Sequence, residues 1–150
     1  MAIELEGEFA VPQDREDVFA YLIDLGRVCK HLPDVQSVEV KDERNATVKI
    51  RVGVSFIRGT AKVRLKLVEA NRPETARFVA QGLMSGNSID IEASFDLLAA
   101  DGETHVKWRG VARVGGTLAS LAGGLLEPMA KKNIVQFVEG IKAGIVEAGA

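Results

Sequence analysis

The sequence predicts an α+β fold: a curved seven-stranded antiparallel sheet wrapped around one long C-terminal helix, with two short helices after the first strand. Three observations carry this. From Val35 to Val114 the chain alternates apolar and polar residues with period two, broken only by turn residues. One further alternating stretch opens the chain. An apolar stripe at helical spacing closes it. Strands that follow one another through short turns pair antiparallel, and a sheet with one apolar face must bury that face against another layer.

The first strand is "IELEGEFAV". Ile3, Leu5, Gly7, Phe9 and Val11 share one face, and Glu4, Glu6 and Glu8 share the other. Pro12 ends it. "QDREDVFAYLI" then reads as a helix that Asp14 can cap, with Glu16 and Asp17 on the favourable side of the helix dipole. A second short helix places Leu25, Val28 and Leu32 at helical spacing and stops at Pro33. Strands are expected over 35–41, 46–54, 56–69, 75–84, 88–99 and 103–114. "KDERN", "EANRPE", "MSGN" and "AADGE" separate them, the last holding an Asp-Gly hairpin pair. No linker, repeat or low-complexity tract interrupts the chain, so residues 1–150 are expected to form one domain.

The closing helix is expected from Thr117 to about Glu147. Leu118, Leu121, Ala122 and Leu125 form one stripe; Ile134, Phe137, Val138, Ile141 and Ile145 form a second in a different register. Between them stand Gly123, Gly124 and Pro128. Proline lacks a backbone donor and disfavours helical geometry at Glu127, so the helix is expected to kink or restart there, either as a fixed bend or as a hinged lid.

Composition narrows the functions. Apolar residues are 47% and charged residues 27%, and the net charge is −2, so no overall basic field favours nucleic acid. Cys29 is the single cysteine, which excludes an intrachain disulfide and suits a reducing, cytoplasmic setting. "MAIELEGEF" is unlike a signal peptide. The uncharged run from Val114 to Leu126 falls short of the roughly 20 residues a membrane helix needs.

The strand faces decide the chemistry. The face expected to meet the helix carries Ala46, Val48, Ile50 and Val52, then Ile57, Gly59, Ala61, Val63 and Leu65, then Ala76, Phe78, Ala80, Gly82 and Met84. It continues with Ile89, Ile91, Ala93, Phe95 and Leu97, and ends with Val106, Trp108, Gly110 and Ala112. No titratable group stands among them, so neither an acid–base pair nor a nucleophilic triad is expected, and two scattered histidines with one cysteine are too few for a metal site. Gly115-Gly116 reads as a turn, not a phosphate loop. The expectation is a protein without catalytic residues, metal or cofactor. Asp24, Tyr21 and His31, near the helix–loop mouth, are the candidates for an acid or base if the chain were a cyclase- or lyase-type enzyme.

The small inward residues Gly59, Gly82 and Gly110 leave volume that either tight coiling of the sheet or an apolar molecule must take up. An apolar cavity would be lined by Phe78, Ile91, Phe95 and Trp108 from the sheet, and by Leu125, Met129, Asn133 and Phe137 from the helix. Trp108 is the first candidate for a hydrogen bond to such a guest, with Asn133 and Thr60 behind it. On the other face Lys49, Arg51, Arg58, Lys62, Arg64 and Lys66 gather on two strands with few acidic partners. They are read as a solvated face or as a docking surface for an acidic partner or anionic lipid. Asp90, Glu92 and Asp96 are expected between basic neighbours on both sides.

Two long segments carry a family resemblance: "GEFAVPQDREDVFAYLIDLGRVCKHLPDVQSVE" and "VGGTLASLAGGLLEPMAKKNIVQFVEGIK". They resemble patterns of the CoxG-like group of carbon monoxide dehydrogenase proteins, within the START-like, or SRPBCC, helix-grip superfamily. The resemblance implies a hydrophobic cavity between sheet and terminal helix. It also implies a partnership with molybdenum hydroxylases of the carbon monoxide dehydrogenase type, through carriage of a quinone-like molecule or membrane recruitment of the enzyme. The sequence departs from the family at Asp34, where glycine is frequent, and at Asn133, where an aliphatic residue is usual.

Overall fold

The computed structural model describes residues 2–54, 57–84, 86–116, 119 and 126–149. The strands are β1 (Ala2–Val11), β2 (Val35–Val40), β3 (Asn45–Val54), β4 (Ile57–Asn71), β5 (Thr75–Met84), β6 (Asn87–Ala100) and β7 (Glu103–Gly116). Helices α1 (Arg15–Leu22) and α2 (Leu25–Cys29) follow β1, and α3 (Leu126–Ala148) closes the chain. All seven strands join one antiparallel sheet in the order β1-β7-β6-β5-β4-β3-β2. Every strand from β2 to β7 therefore pairs with its neighbour in sequence, and only β1 is carried across to the far edge.

Local chemistry explains the joints. Asp14 caps α1, its carboxylate accepting from the Asp17 N–H at 2.9 Å. Asp24 caps α2 in the same way, accepting from the Arg27 N–H at 3.2 Å. Helix α2 is shorter than its apolar spacing suggests: tight turns carry the chain onward, with His31 N–H donating to Val28 C=O and Leu32 N–H to Cys29 C=O. Asp101 and Gly102 both adopt positive φ, 53° and 77°, between the paired residues Ala100 and Glu103, which is the type I′ hairpin that Asp-Gly favours. Asp34 also has φ 57°, the left-handed region where glycine is most at ease. Glycine, which the family resemblance leads one to expect at this position, adopts that conformation without steric cost.

Register places the expected inward residues on one face. Leu65, Ala80, Ile91 and Ala112 form one cross-strand row, ending at Ile3 of β1. Leu67, Phe78, Ala93, Gly110 and Leu5 form the next, and Ala76, Phe95, Trp108 and Gly7 a third. A bulge between Leu67 and Glu69 shifts the register of β4 and leaves Val68 exposed. Thr104, the polar member of the inward set on β7, is fully buried and donates from Oγ1 to Gln13 C=O at 2.8 Å.

Among the described residues the core has two centres. The larger joins α1, α2 and the C-terminal half of α3 to the sheet, through Val18, Phe19, Leu22, Phe78, Phe95, Val106, Ile141 and Ile145. The smaller lies at the other end, where Leu126 of α3 packs with Ile3 and Val114, flanked by Met129, Leu5 and Ile89. Among the described elements, the backbone of α3 comes closest to β1 and α1. In the described part of the helix Pro128 falls in the first turn, where the missing N–H removes no internal hydrogen bond, in keeping with a helical segment that starts near the proline. Leu125 and the expected hinge residues Gly123 and Gly124 lie outside the described residues.

Two helix glycines let α3 dock closely. A Cβ at Gly140 would meet the His31 ring at 3.1 Å. At Gly144 it would overlap the Tyr21 hydroxyl and stand 2.8 Å from His31 Nε2. Alanine ordinarily stabilises a helix interior by about 1 kcal/mol relative to glycine. Here the overlap outweighs that gain, so Gly144→Ala is expected to lower stability by about 1–3 kcal/mol in urea unfolding. A gain in stability would show that Tyr21 and His31 do not seat against this helix.

Candidate functional site

The hollow expected between sheet and helix can be tested glycine by glycine. At Gly82 an added Cβ would meet Ile89 Cγ2 at 2.7 Å, and at Gly59 it would meet Met84 Sδ at 3.2 Å. Those two glycines do not leave free volume; side chains of adjacent strands already occupy the space. At Gly7 the added atom would strike the Trp108 ring at 2.6 Å, so this glycine makes room for the indole to lie across β1. Gly110 differs. A Cβ there would have no heavy atom of the described residues within 4 Å, although the residue sits mid-strand on the inward face.

The opening falls between the two core centres. Phe78 and Phe95 are only 5% and 6% exposed and meet edge to face with ring centroids 6.0 Å apart, so they close one end of the space as part of the main core. Trp108, Ala93 and Phe137 pack against that core while remaining partly exposed. Met129 does the same at the smaller core. Ile91, Ala112 and Ala80 join neither centre and are half-buried. Asn133, also half-buried, lies between Met129 and Phe137 in sequence, one helical turn from each. Of the eight expected lining residues, Phe78 and Phe95 belong to the main core, Trp108, Phe137 and Met129 pack against a core centre, Ile91 and Asn133 are half-buried, and Leu125 is outside the described residues. The inward side chains contributed by the sheet are uncharged throughout, as the alternation indicates.

Thr60 does not join them. It lies out of phase with Gly59 and Ala61, on the outer face. With the Gln36 amide oriented to satisfy its neighbours, its nitrogen donates to Thr60 Oγ1 at 3.3 Å and its oxygen accepts from Arg51 at 3.2 Å.

The candidate acid–base residues are engaged elsewhere. Asp24, besides capping α2, pairs with Arg27 Nε at 2.9 Å and is exposed. Tyr21 is buried, and its hydroxyl is 2.7 Å from His31 Nε2 in a hydrogen bond that sequence reading did not foresee. Arg27 covers the Tyr21 ring, with Cζ 4.6 Å from its centroid. Burial raises the Tyr21 phenol above its usual pKa, partly opposed by Arg27. Burial, aided by Lys30, lowers His31 below its usual 6.5. Cys29 is buried and its thiol is pushed up to about 11 by the same loss of solvent, which makes it an inert core residue. No group of three or more metal-binding side chains occurs among the described residues. No helix among them is long and apolar enough to cross a membrane.

The outer face carries the expected basic group: Lys49 opposes Lys62, Thr47 opposes Arg64, and Asn45 opposes Lys66. Among the described residues, no ion pair forms at Lys49, Arg51, Arg58, Lys62, Arg64 or Lys66. The acidic stripe on β6 requires a correction. Its β5 neighbours are not basic: Asp90 faces Gln81, Glu92 faces Val79 and Asp96 faces Thr75. Basic partners stand only on the β7 side, at Arg113 and Lys107.

A coiled antiparallel sheet that grips its last helix around an apolar opening defines the helix-grip class of protein. Solved structures agree. A conserved protein from Geobacillus kaustophilus superposes with TM-score 0.83 over 97% of each chain at 20% identity. Ara h 8.0201 gives 0.65, with 16% identity and 99% of this chain against 97% of that one. The Zhui aromatase/cyclase from Streptomyces sp. R1128 gives 0.62, with 14% identity and coverage of 99% and 93%. At these identities the likeness establishes the fold. A search of curated proteins returns no match. The family model of the carbon monoxide dehydrogenase protein CoxG matches residues 7–146, and the chain belongs to that family.

The part-buried Tyr21–His31 pair makes stability depend on pH. His31 has a folded pKa below its unfolded value, so between the two the unfolded chain binds the extra proton, and stability falls as pH drops below about 6.5. Melting temperature is expected to decline on acidification from pH 7.5 to 5, with a shallower decline in His31→Gln. Identical slopes in the two proteins would assign the pH dependence to other groups.

Proposed function

We propose that this protein is a non-catalytic carrier of a hydrophobic small molecule, quinone- or lipid-like, held between the sheet and α3. Its role is that of an accessory to a molybdenum hydroxylase of the carbon monoxide dehydrogenase type. The observation that carries the reading is the apolar opening at Gly110, set between two core centres that fasten the helix at either end. Burial of apolar area at about 25 cal/mol per Å² drives a greasy guest into such a space. Polar heads are few: the Trp108 indole N–H and the Asn133 amide make no hydrogen bond among the described residues and stand ready for a guest carbonyl. Family membership supports the link to the dehydrogenase. A cyclase reading draws on fold likeness to the Zhui aromatase/cyclase, but Asp24, Tyr21 and His31 are already committed to a cap, an ion pair and a part-buried hydrogen bond.

Trp108 is the sole tryptophan, so its fluorescence reports on the site directly. Titration with menadione, a naphthoquinone, is expected to quench it saturably. Gly110→Leu, which places a side chain in the opening, should weaken binding at least tenfold, about 1.4 kcal/mol, while leaving the fold intact by circular dichroism. Equal quenching of the folded variant, or no saturable quenching of the parent chain, would dismiss the hollow as the binding site.

A further inference from the structure

The outer face of the sheet holds a second concavity, of about 540 Å³, unrelated to the helix. Two cross-strand rows build it. Arg64 of β4, Gln81 of β5 and Asp90 of β6 lie side by side, and so do Lys66, Val79 and Glu92. The outer face thus has a basic wall and an acidic wall separated by Val79 and Gln81 of β5. Two strand spacings put the backbones beneath the walls about 10 Å apart, so an α-helix, 10–12 Å across with its side chains, lies over β5 at the rim with one wall along each flank. Lys41 and Thr47 extend the trough on the basic side.

The walls are not bonded to each other: among the described residues no ion pair joins Arg64 or Lys66 to Asp90 or Glu92, and Glu92, which lines the trough, has its one ion pair at long range, 3.9 Å to Arg113 on the β7 side. The basic wall is only partly offset by its surroundings: Glu39 lies near Lys49 and Lys62, and Asp42 near Lys66, with no ion pair to any of the three among the described residues, while Lys49 and Lys62 stand directly opposed and like charges so placed repel. Val79 is 37% exposed on the floor. An apolar spot flanked by opposite charges about one helix-width apart is complementary to an amphoteric polypeptide, not to a uniform anion.

We propose that this trough docks a helical segment of a partner protein, with acidic residues along one edge for Arg64 and Lys66 and basic residues along the other for Asp90 and Glu92. A bilayer of anionic lipid meets two obstacles. Its plane does not enter a concave floor, and its phosphates are repelled by the carboxylates within little more than one Debye length, about 8 Å, of the basic wall. The trough and the hollow occupy opposite faces of the sheet, so docking is independent of the cargo proposed above.

The test uses the full chain and a synthetic helical peptide bearing glutamates along one edge and lysines along the other, with binding read by fluorescence anisotropy at low and high salt. Expected are salt-sensitive binding, amide shift changes at Val79 and Gln81 by NMR, and at least a tenfold loss in both Arg64→Glu/Lys66→Glu and Asp90→Lys/Glu92→Lys. The milder Arg64→Gln/Lys66→Gln, checked for native circular dichroism, should lose affinity in the same direction. Menadione quenching of Trp108 should persist in all of them, which separates a failure of this proposal from a failure of the carrier reading. Unaltered peptide binding in the folded variants, shifts confined to another surface, or stronger binding to phosphatidylglycerol vesicles than to the peptide would overturn the assignment.

Discussion

The helix α3 is fastened at its ends, and the rest of the architecture depends on that. At one end Ile141 and Ile145 sink into the main core, and Gly140 and Gly144 let Tyr21 and His31 close against the helix surface. At the other, Leu126 packs with Ile3 and Val114. A helix pinned along its whole length would press its stripe onto the middle of the sheet, where Gly110, Ala112 and Ala93 offer little to press against. Among the described residues, no side chain of α3 between Ala130 and Phe137 joins either core centre. The opening is therefore a product of where the large residues are, as much as of where the small ones are.

Much of this was legible in the sequence, because period-two alternation survives any uncertainty in strand ends. The inward set on β3 to β7 could be written down residue by residue, and the Asp-Gly hairpin and the Asp14 cap rest on local chemistry alone. The contribution of each glycine was not legible. Gly82 and Gly110 look alike in a string of letters, yet Gly82 faces Ile89 across the ladder and Gly110 faces Ala93. Only the register distinguishes a glycine that yields to a neighbour from one that leaves room. The same gap explains the misplaced neighbours of Asp90 and Glu92, since cross-strand partners depend on turn length to the residue.

The Tyr21–His31 hydrogen bond was hidden for a different reason. It joins two residues ten positions apart that are brought together by a capped helix, a short second helix and a pair of tight turns, and nothing in composition announces it. Its effect on α3 works through glycines on a third element more than a hundred residues away. The sequence offers Tyr21 and His31 near the mouth as candidates for chemistry; in the structure they meet each other and lie close against Gly140 and Gly144 of the helix.

The bulge at Val68 and the charge contrast between the faces of β4 bear on how the chain finds its pairing. Lys62, Arg64 and Lys66 alternate with Ala61, Val63 and Leu65, so a slip of one position would drive three cations into the apolar interior and lift three hydrophobic residues into water. Misaligned pairing is thus penalised at every step along the strand, up to the bulge where the phase is reset once. The long central hairpin of the protein proofreads its own alignment during folding, without needing any residue dedicated to that task.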